Sequence, residues 1–326
     1  MMVMGKLPTP KPMDLLHAML RIRRVEEALA IRYAEQQMRC PMHLCIGQEA
    51  IAVGVCMQLG KRDVAFGNHR AHGHYLAKGG KLNAMVAELY GRATGCCGGR
   101  GGSMHLIDID AGFLGSTPIV GGTVPLAVGA AWAAALKGED RVCVAFFGDG
   151  CFEEGVMHES LNFASLHQLP VLFVCENNEF SVYTRLSERQ PERPIYRLAE
   201  AHGMAAYTGD GNNVEEVVTI AGTAINLARQ GGGPQFIELH TYRWREHCGP
   251  SFDDELNYRS EAEIENGLKD CPIARFTAKL KQTIPTIDAE VERFEAGIRE
   301  EIASAFDFAL SSPKPSIENA RTGIYA

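Results

Sequence analysis

Two apolar stretches near the middle of the chain decide its fold: VCVAFF at residues 142–147, which runs into Gly148-Asp149-Gly150, and VLFVC at residues 171–175, which runs into Glu176-Asn177-Asn178. Unbroken apolar runs of this length are typical of strands that are buried on both faces of a parallel sheet. Helical spacing over residues 153–167 separates them. Because a right-handed crossover makes the two strands of such a unit parallel, the sequence predicts a parallel strand–helix–strand unit here.

The same alternation extends to both sides of this unit. Strands are predicted over 204–207 and 236–240, and helices over 14–37, 48–59, 82–90, 214–230 and, with many charges, 261–310; residues 124–136 are predicted to form a buried helix. This pattern predicts an α/β fold with a doubly wound, mostly parallel sheet, helices on both faces and extra helices at both ends. We expect a single domain over 1–326, with an N-terminal helical arm over 1–40 and C-terminal helices and a tail over 255–326. Asp14 and Asn213 are the predicted N-caps of the first helix and of the helix over 214–230.

Composition and charge exclude several classes of function. The 326 residues are 46% hydrophobic and 22% charged with a net charge of −8, an ordinary globular balance that does not suggest a nucleic-acid surface. No apolar run is long enough to cross a bilayer, and the first eight residues contain no signal-peptide core, so we expect a cytoplasmic protein. The ten cysteines are irregularly spaced without paired CxxC units, which predicts reduced thiols and no structural zinc site.

Polar residues follow both central strands at the point where each strand ends. Asp149 and Asn178 are 29 residues apart, which leaves room for one helix and two connections. Both therefore reach the carboxyl edge of the sheet, where ligands bind in open α/β folds. Carboxylate and amide oxygens suit Mg²⁺ or Ca²⁺, and the free amides of Gly150 and Cys151 at the start of the next helix suit a phosphate. The sequence predicts a metal and phosphate site at this edge.

A plainer interpretation is that GDG and NN are two ordinary turns, which is what each motif usually is when it stands alone. Residues 209–213, which read GDGNN, act as an internal control. They have the same letters but no strand or helix between them, and they precede a helix, so Asn213 is interpreted as a cap and not as a ligand contact. The first pair differs because both its spacing and its context fit a site.

GDG at 148–150, followed after 26 residues by NN at 177–178, resembles the diphosphate and metal motif of thiamin diphosphate enzymes. The surrounding sequence resembles the alpha subunit of the first component of 2-oxo acid dehydrogenase complexes, of the pyruvate and acetoin dehydrogenase type. The matching segments run through most of the chain: residues 23–26, GQEA at 47–50, HRAHGH at 69–74, GGSMH at 101–105, IVG at 119–121, PLAVGAA at 125–131, LP at 169–170, ENN at 176–178 and TYR at 241–243. The resemblance implies that the whole chain is the diphosphate-binding half of a thiamin diphosphate fold.

The resemblance also implies roles for particular residues. Asp149, Asn178 and the carbonyl of Phe180 match the metal ligands of the family, for Mg²⁺ or Ca²⁺. Groups that match the cofactor contacts are His69, where many relatives have tyrosine, Arg70, the backbone of Ile119 and Val120, the amides of Gly150 and Cys151, and His247. His72 and His247 match the active-site histidines, and histidine titrates close to neutral pH.

A beta subunit is the partner that the resemblance implies, because it carries the glutamate that activates the aminopyrimidine ring. We expect an α2β2 assembly with the cofactor at the interface, with a lipoyl acyltransferase as a further partner and with no nucleic acid or membrane. The leading hypothesis is a decarboxylating 2-oxo acid dehydrogenase alpha subunit that transfers an acyl group to a lipoyl acceptor. One alternative is a carboligase subunit that uses a small-molecule acceptor in a biosynthetic pathway; another is a non-catalytic subunit that only binds its partner.

Residues 244–250 depart most from the family pattern. Pyruvate-type relatives read YRYHGHS in this region, whereas this chain continues after Arg243 with WREHCGP. His247 is retained, but Glu246 and Cys248 replace the glycine and serine on either side of it. Because this loop lines the entrance to the thiazolium carbon in those relatives, the substrate and the acceptor stay open. Pro118 also replaces a glycine found in many relatives and removes an amide donor close to the cofactor.

Overall fold

The computed structural model describes residues 9–322. Two predictions fall outside this range. One is the absence of a signal peptide, which was predicted from residues 1–8, and the other concerns the last four residues of the predicted tail. The strands are β1 (Val64–Gly67), β2 (Phe113–Ser116), β3 (Cys143–Gly148), β4 (Val171–Asn177), β5 (Phe180–Ser181), β6 (Thr184–Arg185), β7 (Ala205–Asp210) and β8 (Gln235–His240). The helices are α1 (Pro12–Tyr33), α2 (Glu49–Cys56), α3 (His72–Ala77), α4 (Leu82–Leu89), α5 (Val124–Lys137), α6 (Gly155–Leu166), α7 (Leu186–Arg189), α8 (Tyr196–Ala201), α9 (Val214–Arg229), α10 (Glu261–Lys269), α11 (Pro272–Lys281) and α12 (Ile287–Ser311).

Six strands form one sheet in the order β2-β1-β3-β4-β8-β7, and every neighbouring pair in it is parallel. β5 and β6 form a separate antiparallel pair. The predicted unit of β3, α6 and β4 is confirmed, and its register aligns Gly148 with Glu176 at the carboxyl ends. β1 and β2 are not predicted by the sequence, because each has only four residues: β1 is too short for its apolar residues to be recognised as a strand, and β2 lies within a glycine-rich region.

Helices cover both faces of this sheet, as predicted. Along β3, Val144 and Phe146 point into a core that they share with α1, α2, α4, α9 and α12. Ala145 and Phe147 point into the other core, which includes side chains from α5, α6 and α8. Burial of a phenylalanine such as Phe146 contributes roughly 2–3 kcal/mol, so these alternating strand residues hold both helical layers onto the sheet.

The ends of the helices differ in part from the predicted ones. α1 begins at Pro12 after Lys11, without a side-chain cap, and Asp14 lies within its first turn, so the predicted N-cap at Asp14 is wrong. Proline at the first position starts the helix instead, because its fixed φ is already helical. The predicted cap at Asn213 is confirmed, since its side chain accepts a hydrogen bond from the amide of Glu216.

Helix α5 is buried on one face only, which corrects the prediction of a buried helix. Val124, Ala127 and Ala131 pack on the sheet, but three large apolar side chains point outward. The exposed fractions are 57% for Leu126, 43% for Trp132 and 73% for Leu136. Among the helices in the described range, none has the length and apolar character needed to cross a bilayer.

Candidate active site

The order of the strands creates a topological switch point between β1 and β3. β2 lies on one side of β1, whereas β3 and all later strands of the sheet lie on the other. Connections leave the sheet in opposite directions at such a point and open a crevice outside the carboxyl ends of the strands. His69 and Arg70 follow the end of β1, and Asp149 follows the end of β3. Two segments that are distant in sequence therefore meet at this crevice.

A cleft lies over the switch point and brings together most of the predicted site residues. Its lining consists of the segments after β1, β3 and β4 together with residues from three other loops: Gln48, Asn68, His69, Arg70, Val120, Gly121, Phe147, Gly148, Asp149, Gly150, Cys151, Glu176, Asn178, Phe180, Ser181 and His247. Ile119 is the exposed neighbour of Val120 at the rim, and His72 lies beneath the cleft without lining it. Gln48, Asn68, Glu176 and Ser181 are lining residues that the sequence analysis did not single out.

Asp149 is a buried carboxylate that already pairs with a cation. Its side chain forms an ion pair with Arg189 at the end of α7, which also pairs with Glu153. Gln190 donates a hydrogen bond to the backbone carbonyl of Asp149 at 3.3 Å. Burial raises the pKa of Asp149, and the guanidinium of Arg189 opposes that shift. A buried carboxylate needs a cation or strong donors close to it, so this position suits a positively charged group.

The turn after β4 holds Asn178 next to Asp149 in the cleft. The side-chain oxygen of Asn178 accepts a hydrogen bond from the amide of Phe180 at 3.2 Å, which closes a local turn. Glu179 and Val182 have φ angles of 66° and 55°, in the left-handed region that a β-branched residue such as Val182 rarely adopts. This backbone strain accumulates beside Phe180, and such strain is common in segments that hold a ligand.

Arg70 is a buried cation without a carboxylate partner in the part of the chain that the structure describes. Its guanidinium donates to the carbonyl of Leu44 at 2.5 Å and to that of His247 at 3.4 Å. Burial, together with the nearby charge of Arg243, lowers its pKa to about 10. A buried guanidinium that contacts only neutral carbonyls lacks a counterion, so this edge of the cleft favours an anion with several oxygens, such as a diphosphate.

Three imidazole rings surround Arg70. The ring centroids of His43, His69 and His247 are 4.7 to 5.3 Å apart. Burial lowers the pKa to about 3 for His43, about 2 for His69 and about 3 for His247, and the charge of Arg70 adds to each shift. These rings are therefore neutral near pH 7, so each can donate one N–H to an anion without adding charge. His43 was not predicted.

His72 belongs to a fully buried hydrogen-bonded chain below the cleft. Its Nδ1 lies 2.5 Å from a carboxylate oxygen of Glu26, and its Nε2 lies 2.8 Å from the hydroxyl of Ser103. All three side chains have no exposed surface. Both ring nitrogens are therefore engaged within the chain. Glu26 and Ser103 were missed by the sequence analysis, although both fall in matched segments, because a hydrogen-bonded chain across three elements leaves no local pattern.

The atypical segment 244–250 packs against α1, α10 and the loop before α2 instead of standing free. The guanidinium of Arg23 lies 4.2 Å from the centre of the Trp244 ring, and the indole N–H donates to the carbonyl of Gly267 at 3.1 Å. The amide of Gly249 donates to the carbonyl of Met42 at 2.7 Å. These contacts place His247 against His43, so the segment forms one wall of the imidazole cluster.

The residues of the cleft fit a divalent metal and a diphosphate. Asp149, Asn178 and the carbonyl of Phe180 offer hard oxygen ligands in the lining of the cleft. Arg70 adds an uncompensated cation to the same lining. Gly150 and Cys151 lie in a 3₁₀ turn that directly follows β3, where backbone amides can bind phosphate oxygens. This combination of a doubly wound sheet and a cleft with separate cation and anion positions defines an α/β enzyme that binds a diphosphate cofactor.

Comparison with known proteins agrees with this class. A family model described as dehydrogenase E1 component matches residues 17–318. The alpha subunit of acetoin:2,6-dichlorophenolindophenol oxidoreductase from Bacillus subtilis is 38% identical over 98% of this chain and 95% of its own length. The pyruvate dehydrogenase E1 alpha subunits of Rhizobium meliloti and Rickettsia bellii are 36% and 34% identical over 94% of this chain, and cover 87% and 93% of their own lengths. The chain therefore belongs to the dehydrogenase E1 component family.

Membership of this family confirms the predicted resemblance, the predicted fold class and the prediction of an alpha-type subunit of a thiamin diphosphate-dependent oxidoreductase of the 2-oxo acid dehydrogenase type. It also implies use of thiamin diphosphate and pairing with a beta subunit. The relatives are named for two different substrates, acetoin and pyruvate, so their names do not select one.

Proposed function

We propose that this chain is the alpha subunit of an enzyme that decarboxylates a 2-oxo acid and transfers the acyl group to a lipoyl acceptor. The observation that carries the proposal is the buried Arg70 without a carboxylate partner in the described range, in the same cleft as Asp149 and Asn178. An uncompensated guanidinium and a buried carboxylate in the lining of one cleft suit a metal-bound diphosphate. The names of the relatives, acetoin oxidoreductase and pyruvate dehydrogenase, support the reaction class.

Two groups of cleft residues have separate proposed roles in cofactor binding. Asp149, Asn178 and the carbonyl of Phe180 would hold Mg²⁺ or Ca²⁺, and Arg189 would release Asp149 when the metal binds. The diphosphate would be bound by His69, Arg70, His247 and the amides of Gly150 and Cys151. The backbone of Ile119 and Val120 at the rim would contact the aminopyrimidine ring. The bound cofactor supplies the electron sink for decarboxylation.

The two predicted active-site histidines have different proposed roles. His247 lines the cleft as a neutral donor and is placed to give a hydrogen bond to the diphosphate or to a reacting oxygen. His72, predicted to be catalytic, is enclosed by Glu26 and Ser103. We propose that it acts by positioning: it fixes the backbone just after Arg70 relative to the loop that carries Ser103.

The partner is proposed from the exposed apolar surface beside the cleft. Ile119 and Val120 at the rim are 69% and 42% exposed, and the outward face of α5 with Trp132 and Leu136 adds further apolar surface. Exposed apolar residues grouped in this way are typical of an interface. We propose an α2β2 assembly in which the beta subunit supplies the ring-activating glutamate.

The ten free cysteines support a reducing compartment, as expected in the cytoplasm.

Calorimetry of the chain with its partner subunit tests the cofactor site. Thiamin diphosphate with Mg²⁺ should bind the wild type, and Asp149→Ala should abolish binding because the metal loses its carboxylate ligand. Asp210→Ala is the matched control, since Asp210 lies in the second GDGNN motif and pairs with Arg275 at 2.6 Å, away from the cleft. Both variants should keep the wild-type circular dichroism spectrum. Wild-type affinity in Asp149→Ala would refute the assignment of Asp149 as a metal ligand.

A second experiment tests the acceptor. The assembled enzyme is mixed with a purified lipoyl domain and a panel of 2-oxo acids, and reductive acylation of the domain is followed by mass spectrometry. Acylation with one of these acids supports the proposal. If cofactor binds but no acid acylates the domain, the lipoyl acceptor is wrong, and an aldehyde in the assay then tests the carboligase alternative by product formation.

A further inference from the structure

The glycine-rich segment 91–102 is held in place by one buried carboxylate. Glu88, at 1% exposure, accepts hydrogen bonds from the amides of Cys97 and Gly99 at 2.7 and 2.9 Å through one oxygen. Its other oxygen accepts from the amides of Gly101 and Gly102 at 2.6 and 3.2 Å. The segment is therefore not a floppy linker but an anchored loop, which we call the Glu88 loop.

Two adjacent thiols lie at the centre of the Glu88 loop. The sulfur atoms of Cys96 and Cys97 and a carboxylate oxygen of Glu88 all lie within 4.8 Å of one another. Both cysteines are half-buried and free. The thiol of Cys97 also donates a hydrogen bond to the carbonyl of His105 at 2.7 Å. The pair is thus close enough to react with itself, and one member is tied to the far end of the loop.

The surroundings give the two thiols different reactivities. A hydrogen bond from the thiol of Cys96 lowers the pKa of Cys97, although burial and Glu88 oppose that shift. The same hydrogen bond is the largest cause of the raised pKa of Cys96. A thiolate is the nucleophile in thiol chemistry, so Cys97 attacks an oxidant first and Cys96 resolves the product.

A metal ion does not fit this cluster despite its three possible ligands. Each oxygen of Glu88 already accepts two backbone amides, so binding a cation would cost the hydrogen bonds that shape the loop. Two thiols alone provide too few ligands for a tetrahedral site. Redox chemistry between the sulfur atoms needs no additional ligand.

We propose that Cys96 and Cys97 are a thiol modification site that closes reversibly into a vicinal disulfide and thereby loosens the Glu88 loop. With hydrogen peroxide as the oxidant, the Cys97 thiolate attacks one oxygen, which forms a sulfenic acid and releases hydroxide. The Cys96 sulfur then displaces the sulfenic hydroxyl group, which leaves as water with the proton of Cys96, and the proton that Cys97 lost on ionisation converts the hydroxide into a second water. Two thiols are oxidised, and one peroxide is reduced to two waters.

Geometry makes this disulfide labile. Consecutive α-carbons across a trans peptide are about 3.8 Å apart, whereas those of an ordinary disulfide are at least about 4.4 Å apart. A strained disulfide is easily reduced and suits a reversible modification more than a structural bond. The bond is therefore expected to open again in the presence of a small dithiol.

Formation of the disulfide between Cys96 and Cys97 must move the Glu88 loop. The Cys97 sulfur leaves the carbonyl of His105, which loses this hydrogen bond. Gly101 packs tightly beside both residues, since an added Cβ there would lie 2.7 Å from the His105 carbonyl oxygen and 3.3 Å from the Cys97 Cβ, so the loop has little room to absorb the change. Ser103 follows directly and hydrogen bonds to His72. The disturbance would thus reach the buried hydrogen-bonded chain below the cleft.

Peptide mapping of the full-length chain tests the proposal directly. The protein is treated with hydrogen peroxide, free thiols are blocked, and the peptide that contains residues 93–100 is examined by mass spectrometry. We expect it to lose two hydrogen atoms and to regain them with dithiothreitol, and hydrogen exchange of residues 97–105 should become faster in the oxidised protein. These readouts do not depend on catalytic activity, so failure of the proposed reaction would leave them unchanged.

Three variants serve as controls. Cys97→Ser and Cys96→Ser should each abolish the loss of two hydrogen atoms, and Cys96→Ser should leave a sulfenic acid on Cys97 that dimedone traps. Cys248→Ser removes an exposed thiol without an adjacent cysteine and should leave the loss intact. The proposal would be overturned if Cys248 is oxidised in the wild-type protein while the peptide with Cys96 and Cys97 stays unmodified. Oxidation of the pair without faster exchange in the loop would overturn the proposed effect on its structure.

Discussion

Buried polar residues in this protein are stabilised by hydrogen-bond and ion-pair partners from several different helices and loops. Glu26 on α1 illustrates this, because one of its oxygens lies 2.5 Å from the Nδ1 of His72 and the other accepts the amide of Cys45 at 2.6 Å. Arg23, one turn earlier, pairs with the buried carboxylate of Glu49. Helix α1 thus contributes charged as well as apolar side chains to the buried layer below the active-site cleft.

Removal of the Glu26 carboxylate should destabilise the fold. Glu26→Ala leaves the Nδ1 of His72 and the amide of Cys45 without partners in a fully buried place, so we expect the free energy of unfolding to fall by about 3 kcal/mol. Urea denaturation measures this change. Glu27→Ala, which removes a half-buried partner of Arg24, is the control and should cost less than about 1 kcal/mol. Equal losses in the two variants would contradict the importance of the buried chain.

The imidazole cluster predicts that the cofactor-free protein loses stability in mild acid. Folding holds the pKa of His43, His69 and His247 at about 3, 2 and 3, whereas an unfolded histidine has a pKa of about 6.5. As the pH falls from about 6.5 toward 3, the unfolded chain therefore binds protons that the folded chain does not, so the free energy of unfolding decreases.

The contribution of one imidazole ring to this change of the free energy of unfolding with pH can be measured. His69→Phe removes one titrating group, so the decrease in the free energy of unfolding between pH 7 and pH 5 should become smaller, by roughly 1 kcal/mol per pH unit for a half-buried ring. Urea denaturation at several pH values gives the slope for each protein. If the two proteins show the same slope, His69 is not held neutral in the folded state.

At the scale of whole elements, α5 is a helix with a large apolar outer face that the rest of the chain does not cover. Its small residues Ala127 and Ala131 let it lie close to the sheet, while Leu126, Trp132 and Leu136 remain exposed. The Trp132 ring packs on Phe163 of α6 and on His167, which follows α6, at centroid distances of 5.3 and 6.1 Å. Since these contacts leave the outer face open, this helix is where we expect another subunit to pack.

A charge on this face should prevent assembly without unfolding the chain. Leu136→Asp alters a side chain that is 73% exposed, so the chain should keep its thermal stability but lose its association with the partner subunit, because the interface would then bury an unpaired carboxylate. Analytical ultracentrifugation measures the association. Ile31→Asp is the matched control, with 76% exposure on α1, and should assemble normally. Normal assembly of the Leu136→Asp variant would show that α5 is not part of the interface.

At the scale of the whole molecule, the first and the last α-helix of the described range, α1 and α12, pack together. Arg21 and Arg24 on α1 form ion pairs of 2.7 and 2.6 Å with Glu301 and Glu295 on α12. Both helices belong to the same core as the strand residues Val144 and Phe146. The N-terminal helix is therefore part of the main core, which favours the proposed organisation as a single domain.

Unfolding in one step is the corresponding prediction. The two tryptophans lie in different parts of the chain, Trp132 on α5 and Trp244 in the segment after β8. In a single cooperative domain, tryptophan fluorescence of Trp132→Phe and of Trp244→Phe should change at the same urea concentration as the far-ultraviolet circular dichroism of the same variant. A fluorescence midpoint that differs from the circular dichroism midpoint of the same variant would show independent units and contradict the single domain.

Local patterns in the sequence determined the central part of the fold and the chemistry of the cleft. Long apolar runs identify β3 and β4, because strands buried on both faces must be apolar throughout. Asp149 and Asn178 could be predicted from these strands, since parallel strands end at one edge. Arg70 and His247 depended instead on resemblance to a family, and the structure places all four at one cleft.

Tertiary structure alone decided which distant residues meet. β1, with four residues, is too short to be recognised as a strand in the sequence, yet its position beside β3 creates the switch point and brings Arg70 to Asp149. His43 joins His247 only because residue Gly249 packs against Met42. Glu26, His72 and Ser103 come from three separate elements. Such contacts depend on how helices pack across a sheet, and no periodicity along the chain records that packing.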